Sequence, residues 1–123
     1  LEACFDTNFL IYSAKQGIDF VSQLKNKGFT GFFVTNRVLE ELEKLSKKLR
    51  GREKISAAIA LEIVRKTCEI VQTEAKTGDE SVLEACMKRN AILFTNDRLL
   101  RKKARNKGIR TGYIRAFRIV DID

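Results

Sequence analysis

Residues 91–97 read Ala91-Ile92-Leu93-Phe94-Thr95-Asn96-Asp97. Four apolar residues run straight into three small polar ones, and a helical pattern begins at once. An apolar run of that length suits a strand buried on both faces of a parallel sheet. Thr95 or Asn96 can cap the following helix, whose inward stripe is Asp97, Leu100 and Ala104. At about 100° per residue these three fall within roughly 60° of one another. Asp97 is therefore expected on the buried side, at the carboxyl end of a central strand, where open parallel sheets bind their ligands. Taken alone, its simpler reading is an aspartate favouring a helix N-terminus.

The same alternation repeats outward from this stretch. Ala3-Cys4-Phe5 is a short apolar strand ending at Asp6, with Thr7-Asn8 as turn or cap residues. A helical pattern through Leu10, Ile11, Phe20, Val21 and Leu24 breaks near Gly17 and stops before Gly28. Gly31 to Val34 reads as a second strand, followed by a helix from about Asn36, a basic hinge at Gly51 and a helix over Lys54 to Lys66. Glu69 to Gln72 is a third strand. Thr77-Gly78-Asp79-Glu80 opens a helix that ends near Asn90, and Arg110 to Arg115 is a fifth strand. The tail through Val120 is expected to be extended. Strands alternating with helices specify an α/β chain with right-handed crossovers: one three-layer α/β/α sandwich over residues 1–123, with no repeat or linker.

Composition narrows the chemistry. Twenty-four Lys and Arg against 16 Asp and Glu give a net charge of +8, which favours a polyanionic partner, nucleic acid before membrane surface. No apolar run approaches the length that spans a bilayer, and no signal peptide is visible. Cys4, Cys68 and Cys86 show no C-x-x-C spacing and lie in apolar settings, as buried reduced thiols do, so a cytoplasmic location is expected. The absence of histidine excludes Ser-His and Cys-His nucleophiles and imidazole zinc sites. Catalysis has to rest on carboxylates, lysines or a metal held by oxygen.

Four acids then stand out. Asp6 closes the first strand as Asp97 closes the fourth, and a capping role for it is an even alternative. Glu41 lies about 60° from the centre of the stripe Val38, Leu42, Leu45 and Leu49, whereas Glu40 points away; Glu41 also reads as an edge residue reaching for solvent. Asp79 shares a face with Val82, Leu83 and Cys86, while Thr77-x-x-Glu80 fits a capping box that leaves Asp79 turned inward. Two unit charges 5 Å apart repel by about 3 kcal/mol at an effective dielectric near 20. Mg²⁺ or Mn²⁺, held by a few carboxylates and waters, would remove that cost. A receiver-like switch would need an aspartate ending the third strand, where the sequence reads Ile70-Val71-Gln72-Thr73.

In order and spacing, Asp6-Thr7-Asn8, Val38-Leu39-Glu40-Glu41-Leu42, Asp79-x-x-Val82 and Thr95-Asn96-Asp97 resemble the PIN-domain nucleases, as do Glu41-Leu42-Glu43-Lys44-Leu45 and Leu99-Leu100-Arg101. The resemblance covers essentially the whole chain. It implies a central parallel five-stranded sheet in the order 3-2-1-4-5 and Mg²⁺- or Mn²⁺-dependent cleavage of single-stranded RNA. It implies that Asp6, Glu41, Asp79 and Asp97 hold the metal and carry catalysis, with Asn8, Thr95 and Asn96 in support. VapC-type toxins and ribosomal-RNA processing enzymes both belong to that family. An antitoxin and a second copy of the chain are therefore expected partners beside RNA, and a catalytically inactive RNA-binding domain is the rival. Charge points the same way: Lys44–Lys54 holds six basic residues and one acid, and Arg98–Arg118 nine and none. Lys44, Lys47, Lys48, Arg98, Arg101, Lys102 and Arg105 are the expected phosphate contacts. Tyr12, Tyr113 and Phe117 are the aromatics available for base stacking.

Overall fold

The computed structural model describes residues 1–48, 50–116 and 118–123, so the readings placed on Leu49 and Phe117 lie outside the described residues. The elements, in chain order, are β1 (Glu2–Phe5), α1 (Thr7–Gln16), α2 (Phe20–Asn26), β2 (Gly31–Thr35), α3 (Asn36–Lys48), α4 (Gly51–Thr67), β3 (Glu69–Val71), α5 (Gly78–Arg89), β4 (Ile92–Phe94), α6 (Arg98–Asn106), β5 (Thr111–Arg115) and β6 (Ile119–Ile122). Their sheet order is β3-β2-β1-β4-β5-β6. The first five strands are parallel, in the expected order. The sixth is a correction to the five-stranded expectation: the tail turns back and pairs antiparallel with β5. Gln23 of α2 closes that outer edge, accepting from the Val120 N–H at 2.9 Å and donating to the Arg118 carbonyl at 2.8 Å. Paired in this way, the edge offers fewer free groups to other chains.

β1 lies between β2 and β4, and Ala3, Cys4 and Phe5 are wholly buried. Its two neighbours leave in opposite directions, toward β3 on one side and β5 on the other. Right-handed crossovers therefore put helices on both faces. Phe5 sits at the centre of an aromatic cluster, with ring centres 4.8 Å from Phe20, 5.4 Å from Phe9 and 5.8 Å from Phe94. These rings make a rigid floor directly beneath the point where β1 ends. Gly112 on β5 admits the Phe94 ring: a Cβ there would stand 2.2 Å from Phe94 and 2.8 Å from the Asp121 carbonyl. Both Cys4 and Cys86 are buried free thiols, as expected, and Cys68 is half-buried.

Candidate active site

The strand order reverses direction at β1 and β4, and the acids of both strand ends meet there. Asp6 stops β1 because its extended backbone and short carboxylate cap α1, accepting the Phe9 N–H at 2.8 Å. Its own N–H reaches the Phe94 carbonyl at 3.3 Å, which fixes the cap to the end of β4. The Thr95 hydroxyl, wholly buried, donates to the other Asp6 oxygen at 2.5 Å and accepts the Asp97 N–H at 3.1 Å. One hydroxyl thus sets the positions of two acids. Asp97 itself is the α6 cap, its Oδ1 accepting from Leu99 at 2.9 Å and Leu100 at 3.2 Å. This corrects the expectation that Thr95 or Asn96 caps that helix. Asn96 instead exchanges two hydrogen bonds with the Ile114 backbone, 3.0 and 3.1 Å long. It thereby extends the β4–β5 ladder by a side chain.

A second buried hydroxyl mirrors the first across β1. Thr35 ends β2 and accepts the Val38 N–H at 3.2 Å, starting α3. Ser81 of α5 donates to the Gly78 carbonyl at 2.7 Å, and its oxygen lies 2.6 Å from that of Thr35. Ser81 has spent its one proton, so Thr35 donates to it. That bond holds the starts of α3 and α5, which carry Glu41 and Asp79, against the sheet edge. Sequence reasoning missed Thr35 and Ser81, because a threonine and a serine among apolar residues read as ordinary filling.

Asp6, Asn8, Glu41, Asp79, Glu80 and Lys103 line one groove of about 530 Å³. Asp97 faces a neighbouring cavity of about 320 Å³, and Asn8 lines both. The four acids therefore stand around one edge without converging on a point. Their charges still act on one another. Burial pushes the Asp6 carboxyl from 3.8 up to about 7; the Thr95 hydroxyl and Phe9 N–H pull it down, and the Asp79 and Asp97 charges push it up. Partial burial raises Asp79 too, followed by the Asp97 charge, with Lys103 opposing and Glu41 adding. Among the described residues, nine of the other twelve acids form ion pairs, while Asp6, Glu41, Asp79 and Asp97 form none. Asn8 is exposed and makes no side-chain hydrogen bond among the described residues; Asp6 draws its support from Thr95 and the Phe9 backbone.

No three Asp, Glu, Cys or His side chains, among the described residues, lie close enough to enclose an ion by themselves. Mg²⁺ does not need such a cage, since it keeps several waters and takes one or two carboxylates. An all-oxygen set without ion-pair partners among the described residues, including a buried acid whose proton affinity is raised, fits that ion and Mn²⁺.

The basic residues divide unevenly. Lys44 lines a smaller cavity of about 340 Å³ with Arg37 and Lys76, which shares Glu41, Thr77 and Gly78 with the groove. Lys47, Lys48, Arg98 and Lys102 are exposed. Arg101 lies 4.5 Å over the Tyr113 ring and 3.8 Å from Asp123, and Arg105 pairs with Asp123 at 3.2 Å. Lys103, which sequence reasoning passed over, is the α6 cation in the acidic groove. The signal was present: it lies about 60° from Leu100, flanking the buried stripe opposite Arg101.

Among the described residues no helix is long and apolar enough to cross a membrane. Residues 3–116 match the PIN like domain family. The chain is 44% identical over 113 residues to ribonuclease VapC9 of Archaeoglobus fulgidus, spanning 92% of this chain and 82% of that protein. Ribonuclease VapC4 of Methanocaldococcus jannaschii is 34% identical over 122 residues, spanning 95% and 92%. Among solved structures, the PIN domain endonuclease Utp24 aligns with a TM-score of 0.80 at 25% identity, covering 99% of this chain and 90% of that one. Matched over nearly its whole length, the chain belongs to the PIN-like domain family.

Proposed function

We propose that residues 1–123 act as one endoribonuclease domain that hydrolyses phosphodiester bonds of single-stranded RNA with Mg²⁺ or Mn²⁺. The observation that carries this reading is the buried, cation-free Asp6, set at the point where the sheet order reverses and surrounded by three more unpaired acids. Asp6, Glu41, Asp79 and Asp97 would hold the ion, one or two of them directly and the others through its bound waters, with Asp97 using the oxygen that its capping bonds leave free. Bound there, the ion lowers the pKa of a water and offsets phosphate charge. Thr95 holds Asp6 in place. Lys103 faces the same groove, and Arg37, Lys44 and Lys76 offer charge to the phosphates beyond it. The test is gel analysis of single-stranded RNA with parent and Asp6→Asn in Mn²⁺ and in EDTA. The parent should cleave only with metal, and the variant should bind without cleaving. RNA binding without cleavage in any metal would assign the chain to the inactive RNA-binding class.

Of the two roles within the family, the toxin is favoured by the 44% and 34% identities to proteins named VapC ribonucleases. Induced in a bacterial host, the parent should arrest growth and Asp6→Asn should not, and a co-expressed antitoxin should restore growth. Normal growth with active protein would favour RNA processing.

A further inference from the structure

Beside the acidic groove lies the cavity of about 320 Å³ formed by Asn8, Ile11, Tyr12, Lys15, Asn96 and Asp97, with Asn8 lining both spaces. It is at the lower end of the size range of small-molecule sites. Tyr12 is half-buried with its ring packed against the core, so its position is fixed at little entropic cost. Ile11 adds apolar wall. Asn8 offers an amide donor and acceptor that no described residue occupies. Asn96 spends its carbonyl and one N–H on the Ile114 backbone, leaving a second N–H. At the rim, Lys15 and Glu53 pair at 3.1 Å, placing a cationic donor beside an anionic acceptor. The phenylalanines in the described residues are all buried, and the Arg101 guanidinium covers a face of Tyr113. Among the described residues, Tyr12 is thus the aromatic side chain that the fold leaves available next to the acids.

Resting on the nuclease reading, we propose that this cavity is a nucleobase subsite: Tyr12 stacks the base beside the phosphate held in the groove, and Asn8 hydrogen-bonds its edge. A phosphate in the groove leaves its neighbouring nucleotide within reach of the adjoining cavity. Flat aromatic faces and free amides are the usual receptors for unstacked RNA bases.

The experiment measures binding, which does not require cleavage. Fluorescent single-stranded oligoribonucleotides, intact or carrying one abasic position in turn, are titrated in EDTA at low salt. At one position the abasic change should weaken binding to the parent by about 5- to 100-fold. Tyr12→Phe should keep that discrimination. Tyr12→Leu, which preserves apolar packing if Tyr12→Ala fails to fold, should bind intact and abasic strands alike. Tyr12→Leu discriminating as strongly as the parent would overturn the subsite and leave the nuclease reading standing. A parent that binds none of the strands, in EDTA or in Mn²⁺, would overturn both.

Discussion

Asp6 caps a helix, receives a threonine hydroxyl and lies almost wholly out of water, and its neighbours are negative rather than positive. Its folded carboxyl titrates near 7 against an ordinary value of 3.8. The folded chain therefore keeps a proton across that window while the unfolded chain has lost it, so stability falls as pH rises from about 4 to 7 and levels off above. The whole fall is on the order of 4 kcal/mol. In EDTA, parent melting temperatures should drop across this range, and Asp6→Asn should remove most of the drop. At pH 8 the variant should match or exceed the parent, because the lost threonine bond costs only about 1–3 kcal/mol. Millimolar Mn²⁺ should raise the parent's melting temperature and move the variant's less. A parent that melts identically at all pH values, or identically with and without Mn²⁺, contradicts the unpaired-acid reading. Asp6 and Asp97 stood out in the sequence because each follows a recognisable strand, whereas Glu41 and Asp79, expected on inward helix faces, line the groove as exposed residues. Thr35 did not stand out, since its role depends on Ser81, 46 residues away.

Each strand and helix expected from the sequence is present within a few residues, because buried parallel strands and amphipathic helices carry their periods locally. An extended tail was expected, but its return as β6, antiparallel to β5, was concealed in the sequence. Arg115-Ala116-Phe117-Arg118 contains none of the Gly, Asn, Asp or Pro that mark hairpin turns. Ala116 supplies the positive φ itself, at 54°. The hairpin is held by contacts distant in sequence: Gln23 from α2, and Gly112 seated against Phe94. Gly112→Ala should accordingly push β4, β5 and β6 apart and lower stability by about 1–3 kcal/mol, read by urea denaturation. Unchanged stability would mean that Phe94 moves freely, contrary to its place in the aromatic cluster. The α6 cap was also misassigned. Ser, Thr, Asn and Asp all cap well, and Thr95-Asn96-Asp97 gave no local reason to choose among them.

Over the whole molecule, the eight excess positive charges would draw in the proposed RNA substrate, and pairing decides which of them take part. Arg105 is partly neutralised by Asp123, whereas Lys103 stands unpaired among acids in the groove. Log–log plots of RNA affinity against salt should therefore lose about 0.7 in slope with Lys103→Gln. Arg105→Gln should change the slope much less, and equal changes would place α6 differently against the strand. β1 runs through the middle of the sheet. It is laddered to β2 on one side and β4 on the other, and central strands of this kind open only when the whole fold opens. Asp6 and Thr95 hang from the ends of β1 and β4, so fraying at β3 or β6 leaves Asp6 and Asp97 in register. If it is the proposed nuclease, a domain built this way has no half-melted, disarmed form to retreat into. Silencing it means covering the groove or dismantling the entire molecule.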